Sequence, residues 1–328
     1  MTRDVSVIGP LNIDLLITGE GPPNWDSIAT WDGPSNMEMT AAGSVGYTIT
    51  NLAKLGLSVQ VSSCLSDDAL GVFVQAALRR SGVDTGLIRM MPDTLGGIGV
   101  YMLLFGSRKR PLTYRLPTHD FWPLQFTEAE ISALLDARLL HIGGYLHFKE
   151  AWRGAASELF QEACARGIIT TMDPQFPLFN LPLPWMAVLD DILPFVNILF
   201  CDEHEARSLS AEENLDAAAG RLLAAGAQTV IIKQGEAGST VYEPGRQYHQ
   251  PAIVLGELVD TIGAGDTYDA GFIYGTLQGW PLERRALFAS IAAGFTVMGV
   301  GGSQTMPGVS RILEEMRARE EGLNHAAR

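Results

Sequence analysis

The chain has 328 residues, of which 47% are hydrophobic and 18% charged, enough apolar content for a large core in one big α/β unit or two ordinary ones. Its formal charge of -14 argues against a nucleic-acid partner, which needs clustered Lys and Arg to neutralise phosphates. The basic run Arg108-Lys109-Arg110 is too short to reverse that, and it reads either as a solvated turn tip or as a contact to a phosphorylated ligand. Cys64, Cys164 and Cys201 lie far apart without CxxC spacing, so neither a disulfide framework nor a zinc site is expected. With no signal-peptide core after Met1 and no apolar run of about 18 residues, a cytoplasmic chain without a membrane span is expected.

In chain order, short β-rich runs alternate with helical patterns. Val5 to Gly9, Val59 to Ser63, Leu139 to Ile142, Ile168 to Met172, Val196 to Phe200 and Thr229 to Lys233 read as buried strands. Ser44 to Leu55, Ala69 to Ser81, Thr127 to Ala137, Glu150 to Arg166 and Ala211 to Ala225 read as helices, with Thr127 and Glu130 forming a capping box. This alternation predicts a mostly parallel sheet with helices on both faces. Two stretches break the rhythm, Leu11 to Ala42 and Leu95 to Trp122. They read either as a small β cover over the mouth of the sheet or as two unrelated surface excursions. The end of the chain, Gly322 to Arg328, reads as a loose tail.

The segment Val259-Asp260-Thr261-Ile262-Gly263-Ala264-Gly265-Asp266-Thr267 is a glycine turn entering an apolar helical pattern that carries Phe272, Tyr274 and Leu277. Two glycines around an alanine let backbone N–H groups converge at the positive end of a helix dipole, which makes an anion site. Asp266, at the start of that helix, is either a cap for free N–H groups or a base that takes a proton from a hydroxyl attacking phosphorus. Competing motifs are missing: there is no G-x-x-x-x-G-K-[ST], no G-x-G-x-x-G after the first strand, no H-E-x-x-H and no G-x-S-x-G.

The turn resembles the C-terminal signature of the PfkB family of carbohydrate kinases, the ribokinase-like enzymes, which runs close to Asp-Thr-x-Gly-Ala-Gly-Asp-x-Phe. Tyr268 stands here in place of the Phe. The resemblance implies a three-layer α/β/α fold over residues 1–328, with a mostly parallel central sheet and a small β-sheet lid at approximately 12–42 and 97–120. It implies phosphoryl transfer from Mg-ATP to a sugar hydroxyl, with Asp266 as catalytic base and Gly263, Ala264 and Gly265 as anion hole.

Asn12 and Asp14 match the family's Asn-x-Asp, which implies hydroxyl binding, and Gly43 falls in its N-terminal signature. There Ala42 replaces a Gly, and Tyr47 takes the place of an Asn that helps bind the acceptor. Tyr47 is therefore expected in the acceptor pocket, either through its hydroxyl or by stacking on a base. Asp173-Pro174-Gln175 follows a strand like the family's Asp-Pro-Asn segment. Asp202-Glu203-His204-Glu205 corresponds to its Asn-x-x-Glu motif, which implies a metal role for Glu205, the alternative being an acidic first helical turn. Lys233, Gly235 and Gly238 resemble the strand-turn near ATP, Ser290 falls on the late helix at the adenine side, and a monovalent cation stays open. The expected partner is a small-molecule sugar or nucleoside, with a homodimer through the lid open. A nucleoside kinase of the same family and a non-catalytic sugar-binding regulator remain as alternatives.

Overall fold

The computed structural model describes residues 2–22, 24–33, 35–104, 113–116, 125–147, 149, 152 and 154–326. The basic run at 108–110 and the parts of the expected lid at 105–112 and 117–120 lie outside the described residues.

Nine strands form the large sheet: β1 (Arg3–Ile8), β4 (Val59–Ser66), β5 (Asp84–Met91), β8 (Ala137–Gly143), β9 (Ile169–Asp173), β10 (Ile198–Asp202), β11 (Thr229–Lys233), β12 (Ser239–Glu243) and β13 (Arg246–Gln250). Their spatial order is β13-β12-β11-β10-β9-β8-β1-β4-β5. Pairing is parallel from β5 through to β11 and antiparallel from β11 to β13. All six expected strands are present.

Period-two alternation explains why these strands read as continuous apolar runs. Leu140, Leu199, Cys201 and Val230 pack on one face, in a core shared with α4 (Ala155–Ala165), α5 (Glu203–Ser210) and α6 (Leu215–Ala224). Their neighbours Leu139, Ile198, Phe200 and Ile231 pack on the other, against α1 (Gly46–Lys54), α2 (Ala69–Arg80), α7 (Ala264–Leu277) and α8 (Leu282–Thr296). Three layers result, as expected. The capping box of α3 (Glu128–Leu134) forms with Thr127 and Glu130 in both directions.

Boundaries differ where local chemistry competes. The helix expected from Ala211 begins at Leu215, because Ala211 closes α5 in a left-handed conformation and the Asn214 side chain then caps α6 from Ala217 N. The helix expected from Glu150 begins at Ala155. The expected loose tail is instead the end of α9 (Val309–Ala326) as far as Ala326.

The two irregular stretches do meet. The strands β2 (Leu11–Gly19), β3 (Ser35–Gly43), β6 (Ile98–Leu103) and β7 (Thr113–Leu116) form a second sheet in the order β3-β2-β6-β7. The β2–β3 and β6–β7 pairs are antiparallel and the central β2–β6 pair is parallel. Residues of this sheet and of the glycine turn share one small core, made of Leu16, Ala42, Tyr47 and Ile262 with Tyr101 and Val300 against it.

Candidate active site

Strand order reverses at β1, which has β8 on one side and β4 on the other. Open α/β sheets take ligands in the crevice beyond the carboxyl ends of their strands at such a reversal. The quoted motifs gather around those ends.

Gly263 sits at the N-cap of α7 in a left-handed conformation (φ +70°) with no side-chain cap bond. The first N–H groups of a helix lack a carbonyl four residues back, and its dipole is positive there, so this turn can hold an anion. A side chain at Gly263 would place Cβ 2.8 Å from Gly302 Cα and 3.1 Å from Tyr47 Cγ. The turn is pinned from behind. Asp260 Oδ1 accepts from Ile262 N at 3.0 Å and Oδ2 accepts from Gly301 N at 3.4 Å, while Lys54 Nζ donates to the carbonyls of Ser303 (2.6 Å) and Met306 (2.9 Å) in the adjoining loop.

Asp266 lies inside the first turn of α7, so the capping alternative is overturned: the cap position belongs to Gly263. Its Oδ1 accepts from Thr48 Oγ1 of α1 at 3.1 Å. Burial pushes its carboxyl up from 3.8 to about 7, with Lys233 and the Thr48 bond pulling down and Asp173 and Asp14 pushing up. A carboxyl poised near neutrality beside an anion site suits proton transfer at physiological pH.

Lys233 is not a solvated strand-end lysine. Its Nζ donates to Asp173 Oδ2 at 2.7 Å and to both oxygens of Asp269 at 3.1 Å, and a Cβ on Gly265 would stand 3.5 Å from it. Burial acts to lower the ammonium, but the Asp173 and Asp269 charges hold it well above 10.5. Asp173 and Asp269 also hydrogen-bond to each other. Burial would raise Asp173, yet Lys233 and the Asp269 bond keep it below its ordinary value. Burial pushes the Asp269 carboxyl well up, and Lys233 pulls it down.

On the other side, Asp14 of β2 and Tyr47 of α1 are buried together, with Tyr47 Oη donating to Asp14 Oδ2 at 2.9 Å. The Tyr47 ring is only 3% exposed, and a Cβ on Gly302 would come within 2.6 Å of it. Its face is therefore filled by the backbone of two glycine turns, which corrects the expectation that it could stack on a base; only the hydroxyl edge reaches a polar group of the site. Asn12 Oδ1 is buried without a partner. Gly43 ends β3 at φ +92°, pressed against Pro10 and Asn12.

The nucleotide-side candidates are less closely tied. Gly235 and Gly238 flank the short turn between β11 and β12; a Cβ on Gly238 would lie 2.1 Å from Gln250 O, whereas Gly235 faces open space. Ser290 is buried on α8. Asp202 and Glu205 cap each other's backbone N–H groups at the start of α5. Burial, then the Asp173 and Asp202 charges, push the Glu205 carboxyl from 4.5 up to about 8.

Four partners escaped the sequence reading. Thr48 holds Asp266, Asp269 holds Lys233, and Ser44 bonds His147 at 2.9 Å. Asp269 had a signal, as an aspartate three residues after Asp266 on an otherwise apolar helix. Ser44, His147 and Thr48 had none, because each meets its partner only across the fold.

A parallel sheet, a glycine turn opening a helix and a carboxyl at that turn define a ribokinase-like protein. Solved structures share the fold: Arabidopsis thaliana ribokinase complexed with ribose and ATP superposes with a TM-score of 0.76 at 22% identity, over 96% of this chain and 98% of that one. A nucleoside kinase from Methanocaldococcus jannaschii, described as a ribokinase-family member, superposes with a TM-score of 0.68 at 18% identity, over 96% and 98%. Residues 2–308 match the pfkB family carbohydrate kinase profile, and the chain belongs to that family. Similar curated proteins are named 5-dehydro-2-deoxygluconokinase. The one from Clostridium tetani is 28% identical over 85% of this chain and 84% of its own length, and the one from Shouchella clausii is 26% identical over 82% and 84%. Among the described residues no helix is long and apolar enough to cross a membrane.

Proposed function

We propose that this carbohydrate kinase transfers the γ-phosphoryl group of Mg-ATP to a hydroxyl of its acceptor, with Asp266 as general base and the Gly263-Ala264-Gly265 turn as anion hole. The observation that carries this reading is the placement of a buried carboxyl, pushed up to about 7, in the first turn of the helix that the glycine turn opens. Thr48 fixes one oxygen of Asp266 and leaves the other to accept the proton that the attacking hydroxyl sheds. Lys233, next to Gly265, adds a fixed positive charge near the transferring group while neutralising Asp173 and Asp269.

ATP and magnesium are supported by a fold relative, E. coli ribokinase II in complex with ATP and Mg2+, at a TM-score of 0.78 and 20% identity. Among the described residues no group of three His, Cys, Asp or Glu is placed to cage a metal. Magnesium keeps several waters and takes one or two carboxylates along with substrate phosphates. Asp202 and Glu205 are the carboxylates that would meet it, and the ion would supply charge neutralisation on the phosphates. Gly235, Gly238 and Ser290 remain the proposed nucleotide side. A monovalent cation stays open.

On the acceptor side, Asn12, Asp14 and Gly43 hold the sugar under the small sheet, which closes over it and excludes water as a competing acceptor. The name of the curated relatives makes 5-dehydro-2-deoxygluconate the first acceptor to assay, beside D-ribose, D-glucose and adenosine. Phosphorylated product, followed by phosphorus NMR with ATP and magnesium, is the expected result. ATP left unconsumed with every acceptor would sink the kinase reading, and transfer to adenosine alone would turn it into a nucleoside kinase.

A further inference from the structure

Three of the four residues from Gly299 to Gly302 are glycines, two of them at positive φ, +88° for Gly301 and +63° for Gly302. A run with so little side chain has wide conformational freedom and does not hold a shape by itself. Yet this run backs the glycine turn. A Cβ on Gly263 would stand 2.8 Å from Gly302 Cα, Asp260 Oδ2 accepts from Gly301 N at 3.4 Å, and Thr267 Oγ1 lies 3.3 Å from the carbonyl oxygen of Gly302. The same loop reaches the small sheet, where Gln304 Nε2 donates to Glu38 Oε2 of β3 at 2.7 Å. Both hydrogen bonds to the turn are long, so they are weak ties for a glycine-rich run.

The stronger tie comes from α1. Lys54 Nζ donates to the carbonyl oxygens of Ser303 at 2.6 Å, Met306 at 2.9 Å and Gln304 at 3.3 Å. Three acceptors match the three N–H donors of an ammonium, and bonds from a charged donor are roughly twice as strong as neutral ones. Met306 is itself buried in the core shared by α8 and α9, so the clamp lies between a fixed anchor and the glycines. Thr48, Asn51 and Lys54 follow at three-residue spacing along one side of α1. Thr48 binds Asp266. Asn51 Nδ2 donates to Thr267 Oγ1 at 2.8 Å, and that hydroxyl donates to the Gly263 carbonyl at 2.8 Å. One side of a single helix therefore touches the carboxyl, the turn and the loop behind the turn.

Resting on the kinase reading, we propose that Lys54 is a positioning residue for phosphoryl transfer: by clamping the carbonyls of Ser303, Gln304 and Met306 it holds the loop at 299–306 against the glycine turn, and so keeps the free N–H groups of that turn aimed at the transferring phosphoryl. Lys54 acts through the loop. The bonds it keeps in place are made to charge that develops during transfer, so its loss bears on kcat more than on the binding of ATP or acceptor. A lysine that only tied down the end of α1 would bear on stability and leave kcat alone.

The test pairs kinetics with a readout that does not depend on turnover. Lys54→Met keeps the stem and removes the ammonium, whereas Lys54→Arg keeps the charge and its donors. Steady-state rates with Mg-ATP and the best acceptor of the panel above are measured at a temperature where thermal melting shows the variants folded. Deuterium uptake of the segments 259–267 and 299–306 is followed by mass spectrometry on the same proteins. In Lys54→Met kcat should fall about 10- to 100-fold, the scale of a misplacement of about 1 Å, while both KM values stay within about threefold. Uptake should rise in both segments. Lys54→Arg should recover most of kcat and bring the uptake back toward wild type. Should Lys54→Met fail to fold, Lys54→Gln, which keeps an uncharged donor, replaces it with the same expected pattern at smaller size. A destabilised variant with wild-type kcat would overturn the proposal. So would uptake at 259–267 that stays at the wild-type level, because the loop would then not act on the turn. Uptake that rises in both segments of a protein whose wild type phosphorylates no acceptor would fault the kinase reading and leave the tie between Lys54 and the turn standing.

Discussion

The two ends of the site are built differently. At the proposed phosphoryl end, Asp266, Lys233, Asp173 and Asp269 come from α7 and from two strands of the large sheet, and Lys233 offsets the carboxyls around it. At the proposed acceptor end, Asn12, Asp14 and Gly43 come from β2 and β3 of the small sheet, and Asn12 Oδ1 is left without a partner. The difference teaches where each property is stored. Charge placement that must be ready before the reaction sits on rigid elements and is complete without substrate. In the proposed reading, the hydrogen bonds that would select the acceptor sit on the smaller sheet.

The largest effect should follow Asp266→Asn, which removes the proposed base and leaves the charges beside it. Turnover should fall about 10²–10⁴-fold, with calorimetric binding of ATP and acceptor largely kept. In the wild type, turnover should rise with pH through about 7, as the carboxyl loses its proton. The sign for stability is opposite. A folded-state pKa raised above 3.8 gives a contribution that is present below that value and lost as pH rises through about 7. Asp266→Asn should therefore melt higher than wild type near pH 8 and level with it near pH 4. A mutant with near wild-type turnover would leave the phosphoryl end without its base.

Lys233→Met tests whether the charges at that end form one unit. It leaves the Asp173–Asp269 pair buried without its cation, and breaking a buried pair in this way costs about 3–5 kcal/mol. A marked drop in melting temperature is expected, together with loss of turnover. A variant as stable as wild type would show that Asp173 and Asp269 do not need the Lys233 cation, and the contrast between the ends would weaken.

How much of this was legible before folding follows the same division. The glycine turn could be read because its parts are consecutive in the chain, from Asp260 to Thr267, and local geometry dictates what such a run does. The Thr127–Glu130 box was legible for the same reason, as were the parallel strands, whose apolar runs report burial on both faces. The Tyr47 ring was not, because it is wedged between Gly263 and Gly302, more than ~200 residues away, and neither glycine signals what fills the space beside it. The same holds for Ser44 and His147. The hairpin β12–β13 was missed because its strands are short and one face of the edge strand is polar, which blurs the period-two signal. Asp202 and Glu205 fit both readings offered for them, since a capping box satisfies the helix terminus and still leaves two carboxyls at the strand end.

The smallest effect is expected from Tyr47→Phe, which probes the boundary between the two ends. The ring stays wedged between Gly263 and Gly302, so the glycine turn keeps its support. What is lost is the hydroxyl that donates to Asp14. Burial, reinforced by Asp14, holds that phenol well above 10.0, so at neutral pH it is a donor, and Asp14 Oδ2 gives up one hydrogen bond when it goes. A net loss of about 1–2 kcal/mol is expected, equivalent to a few degrees in melting temperature. Acceptor KM should rise a few-fold because Asp14 is less firmly oriented, while kcat and the KM for ATP hold. If kcat instead falls as far as acceptor KM rises, the Tyr47 hydroxyl also serves the phosphoryl end. The boundary would then run through β2, with Asp14 on the catalytic side of it.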